Sequence, residues 1–412
     1  MRRRWVLGCI LAVGLVACAD DEPVTAPGSS TNAGGAGGTS TGGTSAGGGG
    51  AGGGPSCGDQ WTNGTTEPDP DGPSTQIHGT STFDGDHLWI AWNRPDSGSL
   101  FDVWLAAFAC DGSLVTGPIE VTQADDNELD PVLSVSGDRL LVAWVSDNGS
   151  GPNNLDIRYR IFSLSGAALT DTIELAATRN GAAVTGNAIS PSLAPIDGGW
   201  MLAGAWGHDD APAFQAFVVE LDIDGVVQGD ASDADLDPAF GQTAIAVTAD
   251  EAGVHVAWQI DSTTSTAPAA WWTTLGGTAT MLGDPGARPH LAPGPWTVWD
   301  TDGSDIVVQP PGAAPKPLNA TGLVHNPQLA VVDDQATLLW MEVTSGIKNR
   351  IHVAALGADG TPGVTTTLAT QEAPSVYPVD LTMVDTTHAV VVYQDGTSPD
   401  FRLEAEWLTL TR

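Results

Sequence analysis

Leu88-Trp89-Ile90-Ala91-Trp92 is a run of five apolar residues that stops at a tryptophan and gives way to the polar Asn93-Arg94. The same phrase returns six times along the 412-residue chain. Its other copies are Leu140–Trp144, Leu202–Trp206, Val254–Trp258, Trp296–Trp299, Ala336–Trp340 and Val390–Tyr393, at intervals of 52, 62, 52, 41, 41 and 53 residues between the closing aromatics. A unit that recurs every 40 to 60 residues marks a repeat architecture. Before most of the tryptophans stands a Pro-x-Leu: Pro131-Val132-Leu133, Pro191-Ser192-Leu193, Pro289-His290-Leu291 and Pro327-Gln328-Leu329, with Pro378-Val379-Asp380-Leu381 as a looser version. After them come further apolar segments such as Ile157–Leu164, Ala216–Leu221 and Ile351–Leu356. These close in tight turns at Asp111-Gly112, Ser165-Gly166, Asp224-Gly225, Gly276-Gly277 and Asp359-Gly360. Such pairs suit the positive-φ positions of two-residue hairpins. A short last segment, Ile119–Thr122 or Thr366–Ala369, then leads into the next unit.

Each unit therefore reads as four strands, with no amphipathic helix between units. About seven four-stranded units predict an all-β fold, a β-propeller over residues 57–412. The pattern resembles bacterial surface propellers as a broad class. It carries no family-specific signature: the Trp-Asp of WD40 blades occurs only as Trp299-Asp300, after the strand, and the sialidase Asp-box is absent. An array of β-sandwiches is the competing architecture. The last unit ends at its third strand, Arg402–Thr409, and residues near Asp59–Thr66 are the candidates to supply the missing fourth.

Met1-Arg2-Arg3-Arg4 is a basic start, and Trp5 to Val16 is an apolar run too short to span a bilayer as a helix. The run closes in Leu15-Val16-Ala17-Cys18, which resembles a bacterial lipobox; an ordinary secretory signal is the alternative. The resemblance implies a signal peptide over 1–17 and a lipidated Cys18 as membrane anchor, and Ala19 in place of an aspartate implies the outer membrane or the cell surface. Residues 18–56 are then a linker of Gly, Ser, Thr and Ala that cannot bury enough apolar surface to order itself. Such a coil has a typical reach of roughly 30 to 35 Å. Gly43-Thr44-Ser45-Ala46-Gly47 matches a hydrolase nucleophile elbow, but the flanking strand and helix it needs are impossible in this tract.

With Cys9 in the signal and Cys18 lipidated, Cys57 and Cys110 remain, and two cysteines in an exported domain are expected to pair. Free buried thiols are the other possibility. The strand-ending tryptophans are expected to fill the gaps between blades. Trp271, Trp272 and Trp296, placed irregularly, are the better candidates for stacking on a sugar, with core packing ranked ahead of that role.

Lysine and arginine number 14 against 50 acids, a net charge of −36, so a nucleic-acid ligand is excluded and no basic footprint exists. Only eleven of the acids are Glu. Aspartates cluster in loops that a propeller would gather on one face, including Asp125, Asp126 and Asp130, Asp209 and Asp210, and Asp235 and Asp237, which predicts an acidic mouth. Asp300-Thr301-Asp302-Gly303-Ser304-Asp305 resembles the first half of a calcium loop, making Asp300, Asp302 and Asp305 candidate ligands; an ordinary turn is the equal alternative. Residues just before the inner-strand prolines, Asp130, Ser190, Arg288, Asn326 and Tyr377, with His78 in the comparable place, are predicted to ring the mouth as ligand-binding positions. Paired carboxylates would be easy to assemble for a glycosidase. A sialidase, however, needs an arginine cluster, and Arg94, Arg139, Arg158, Arg160, Arg179, Arg288, Arg350 and Arg402 do not recur at inner-strand positions. The functional expectation is a monomeric, lipid-anchored binding or scaffold module with an envelope protein as partner. The alternative is a carbohydrate-binding or glycoside-hydrolysing propeller.

Overall fold

The computed structural model describes residues 57–73, 75–95, 100–122, 126–147, 155–184, 186–207, 214–234, 241–261, 268–301, 304–320, 322–344, 348–369, 379–397 and 400–412. The signal segment, Cys18 and the linker lie outside the described residues, as do Tyr377 and Asp302.

The described chain forms a seven-bladed β-propeller of four-stranded antiparallel sheets. The first blade, Ile77–Phe83, Leu88–Pro95, Phe101–Phe108 and Leu114–Glu120, shows the plan, with strands adjacent in sequence adjacent in space. The inner strands of blades 2 to 7 begin at Asn127, Asn187, Gly241, Ala287, Leu323 and Asp380. A small extra hairpin, Thr178–Arg179 with Ala182–Ala183, sits between blades 2 and 3.

Both faces of each second strand are buried, which is why that strand reads as an unbroken apolar run instead of alternating with polar residues. Leu88, Ile90 and Trp92 pack against blade 7, while Trp89 and Ala91 point the other way, against blade 2. The core is thus a series of layers between consecutive blades. Trp144 packs back on blade 1, Trp206 on blade 2, Trp258 on blade 3, Trp340 on blade 5 and Tyr393 on blade 6. The repeated aromatic is inter-blade packing, as its spacing implied; within blade 3, Trp206 also stacks on Phe217 at 3.6 Å between ring centroids.

Closure joins the chain's beginning to its end. Gly64–Thr66 is the fourth strand of blade 7, pairing with Asp400–Thr409 so that Thr65 stands opposite Glu406. Cys57 and Cys110 form the disulfide, with Cα atoms 5.5 Å apart and a sequence separation of 53. It fastens the closing segment to the end of blade 1's third strand; in the chain-entropy view a loop of this length contributes about 4 kcal/mol. The free edges of the inner strands are tied too. Asp380 Oδ2 accepts from the Ser81 backbone N–H and hydroxyl, both at 2.7 Å, bridging blade 7 to blade 1. Ser192 Oγ accepts from the Val247 N–H, and His290 Nδ1 from the Leu329 N–H. These contacts satisfy strand-edge donors that have no neighbouring strand.

Candidate functional site at the propeller mouth

The inner strands of blades 1 to 6 carry the same defect at the same place. In each, the pairing with the second strand slips by one residue, between Ile77 and Thr80, Leu129 and Val132, Ile189 and Ser192, Thr243 and Ala246, Ala287 and His290, and His325 and Gln328. The first bulged residue is left-handed every time: His78 (φ 53°), Asp130 (51°), Ser190 (55°), Ala244 (50°), Arg288 (46°) and Asn326 (50°). None is glycine, and a left-handed L-residue costs of order 1–2 kcal/mol. A bulge re-aims its side chain. Proline following four of the six explains part of the geometry, because it offers no N–H to the ladder.

Five of the six residues predicted to ring the mouth, His78, Asp130, Ser190, Arg288 and Asn326, therefore occupy the equivalent bulge within their inner strands, and Tyr377 lies outside the described residues. Ala244 is the member the sequence reading missed, since Ile245 follows it in place of proline. The signal was present: Ala244 stands fourteen residues before its tryptophan, as do His78, Asp130 and Asn326.

The residue after the strand-ending tryptophan clamps the next blade's bulge. Asn93 donates to the Glu128 carbonyl at 2.8 Å and accepts from the Asp130 N–H at 3.2 Å. Gln259 Oε1 accepts from the Arg288 N–H at 3.0 Å.

The bulged side chains make three short polar links. His78 Nδ1 lies 2.5 Å from Asp130 Oδ1. Arg288 donates through Nε to Asp300 Oδ2 at 2.6 Å and through Nη2 to His325 Nδ1 at 2.7 Å. Burial, with the neighbouring guanidinium, pushes the His325 imidazole down to about 4, so it is a neutral acceptor at physiological pH. Asp300 is fully buried, which makes its pairing with Arg288 a low-dielectric ion pair. Ser190 is buried with its hydroxyl unpartnered among the described residues. Asn326 Nδ2 approaches Met341 Sδ at 3.9 Å.

Of the aspartates expected to make the mouth acidic, Asp125, Asp209, Asp210, Asp235 and Asp237 lie outside the described residues, and several other acids are paired. Arg94 pairs with Asp69, Arg158 with Asp126 at 2.8 Å, Arg179 with Asp233, and Arg402 with Glu67 at 2.7 Å. On the opposite rim, aspartates build turns. Asp222 Oδ1 accepts from the N–H groups of Asp224 and Val226, Asp111 from Ser113, and Asp359 from Thr361. Aspartate does this and the longer glutamate does not, which accounts for the bias between the two.

Of the calcium candidates, Asp302 lies outside the described residues, and Asp300 and Asp305 are engaged by separate partners. Asp300 is turned to Arg288, whereas Asp305 accepts from the backbone N–H groups of Ile306, Asn319 and Ala320. Among the described residues no group of three or more potential ligands is placed to hold a metal ion. Trp296 is buried, and Trp271 and Trp272 are half-buried on the third strand of blade 4 with Trp271 opposite Trp258, so packing accounts for them.

No family model and no curated protein matches the chain. Solved structures of like fold include a protein of unknown function from Dyadobacter fermentans, with a TM-score of 0.52 and 11% identity over 82% of this chain and 95% of that one. A Trypanosoma rangeli sialidase in complex with the inhibitor DANA gives 0.53 at 8% identity, covering 84% of this chain and 58% of the sialidase. A Penicillium chrysogenum α-L-arabinanase complexed with arabinobiose gives 0.50 at 12% identity, over 82% and 96%. At such identities the likeness is one of fold.

Proposed function

We propose that the chain is a binding module held at the bacterial cell envelope by a lipid on Cys18 and the glycine-rich linker, and that it engages an envelope protein through its mouth. One observation carries this reading. Six blades repeat a strained, left-handed bulge, and six different side chains occupy it. Strain kept at every copy is a feature of sites that must aim a side chain, while the variety of residues makes the ring chemically asymmetric. A partner docking there meets an imidazole–carboxylate pair on one side and a guanidinium on the other. Capture from native membranes tests this: His78→Ala and Arg288→Ala are expected to cut recovery of the partner roughly tenfold, the loss of one charge-assisted contact each. Asp224→Ala on the opposite rim is expected to leave it unchanged. Full recovery by both mouth variants refutes the reading. The anchor is tested separately, since Cys18→Ser should move the chain out of the membrane fraction.

A second reading places a glycan at the same mouth. Its support is that the arabinanase solved with arabinobiose has this fold, and that the bulges present neutral-acceptor and charged donor groups of the kind sugar hydroxyls use. Binding on a glycan array that is lost in Arg288→Ala, without capture of any protein, would favour it.

A further inference from the structure

Blade 2 departs from its neighbours in its outer strand. Leu114–Glu120 in blade 1 and Val227–Asp233 in blade 3 each run seven residues, whereas blade 2 has only the two-residue Ile173–Glu174. The chain leading to that short strand bows away from the sheet: Thr170 Oγ1, in place of a strand carbonyl, accepts from the Ile161 N–H at 3.1 Å. Beside it opens a cavity of about 300 Å³, lined by Glu128, Trp144, Arg158, Arg160 and Asp171 of blade 2 and by Thr122 at the end of blade 1.

Two groups facing this space lack the partners that burial demands, and a third, the half-buried Arg160, has no counter-ion among the described residues. Glu128 is 1% exposed; its Oε1 accepts from Ser146 Oγ at 3.2 Å and faces Arg158 Nη1 at 3.6 Å, but Oε2 has no hydrogen-bond partner. The Trp144 indole N–H is fully buried and also unpartnered, near the Glu128 carboxyl but outside hydrogen-bond geometry. Arg160 gives its Nε to the Thr170 carbonyl at 3.0 Å and its Nη1 to the Val121 carbonyl at 2.9 Å, and no carboxylate among the described residues forms an ion pair with it. Buried polar atoms left unmet cost free energy, and such exceptions call for an explanation. What is missing is an anion beside Arg160 that can also meet a carboxyl oxygen and an indole N–H.

We infer that this cavity binds a small monocarboxylate, up to the size of a sugar acid, seated between the Arg160 guanidinium and the Glu128 carboxyl. A cationic ligand would face two guanidinium groups, and a neutral polyol would leave Arg160 without its counter-charge. A phosphate dianion would meet the carboxyl groups of both Glu128 and Asp171. A monocarboxylate fits because two carboxyl groups at close range hold one proton between them. Burial already pushes Glu128 up to about 7 against the opposing effect of Arg158, so the proton is at hand. The charged groups packed around Glu128 are Arg158, Asp126 and Glu174 together with Arg160 and Asp171 across the cavity. Affinity is therefore expected to rise as the pH falls from 8 to 6. The cavity lies on the flank between blades 1 and 2, and its occupancy does not depend on what the mouth engages.

Calorimetric titration of the full chain with acetate and D-glucuronate, and with acetamide and D-glucose as their neutral counterparts, tests this. Saturable binding is expected for the carboxylates alone, with D-glucuronate binding but acetate alone failing if the sugar ring is also recognised. Arg160→Gln is expected to weaken binding roughly tenfold or more, the loss of a charge-assisted contact. Glu128→Gln, which keeps a neutral donor, is expected to retain binding and to lose its pH dependence between pH 6 and 8. Absence of saturable heat from both carboxylates, equal binding of the neutral compounds, or unchanged affinity in a folded Arg160→Gln overturns the proposal. Should Arg160→Gln fail to fold, a Glu128→Gln variant that keeps the wild-type pH profile overturns it instead.

Discussion

The two rims of the propeller use the same left-handed backbone and fill it differently. On the far rim Gly112, Gly166, Gly225, Gly276 and Gly360 take φ between 77° and 82° in the turns that close the third strands. At the mouth the inner strands pass through φ of 46° to 55° with His, Asp, Ser, Ala, Arg and Asn. Glycine reaches this region without a Cβ penalty, so the far rim is built as a turn alone. The mouth carries the penalty six times over and gains a side chain at each position. That contrast supports the proposed role of the inner-strand bulges: a turn needs only its backbone, whereas His78, Asp130, Arg288 and Asn326 each add a side chain that is not fully buried.

The largest expected effect breaks the pairing that supports one mouth residue. Asp300→Ala removes a fully buried carboxylate from the half-buried Arg288 guanidinium and should cost about 2 to 3 kcal/mol in denaturant unfolding; a loss under about 1 kcal/mol would place the pair in the class of screened surface bridges. Next is the wall between the rims. Burial holds the Asp380 carboxyl at about 7 in the folded chain against 3.8 for an ordinary aspartate. Because the folded value is the higher one, its contribution to stability is greatest below the ordinary aspartate range and fades as pH rises towards 7. Asp380→Asn should flatten the stability–pH curve over that window, leaving the same-signed contribution of Glu128, also raised to about 7 by burial. An unchanged slope would mean that Asp380 binds Ser81 in its ionised form.

The rims themselves are compared by two opposite substitutions. A Cβ on Gly225 would stand 2.9 Å from Ile161 Cδ1 as well as in the left-handed region, so Gly225→Ala is expected to destabilise by about 2 kcal/mol. Ser190→Gly relieves a left-handed serine and removes a buried, unpartnered hydroxyl, and should stabilise by about 1 kcal/mol in thermal or chemical melts. If it destabilises, the mouth bulges are not strained and the contrast between the rims fails.

The blades were legible because each second strand is buried on both faces, so Leu88–Trp92 and its copies carry an unmistakable continuous signal. Ala244 slipped through because proline marks only four of the six bulges; a distance of fourteen residues to the tryptophan, shared with His78, Asp130 and Asn326, is the signal that finds it. Glu128, Arg158 and Arg160 gave no motif at all. They alternate with apolar residues on ordinary strands, and only a shortened outer strand turns them into a cavity.

Local chemistry written along the chain determined the repeat, the turns, the disulfide partners and the equivalence of the mouth positions, since each rests on residues a few places apart or on a fixed period. Tertiary structure alone decided which charges meet. Arg288 finds His325 in the next blade, Asp380 finds Ser81 across the closure, and Arg160 finds no carboxylate among the described residues. Pairing of that kind depends on distances across blades, and a one-dimensional pattern with a repeat of tens of residues contains no measure of them.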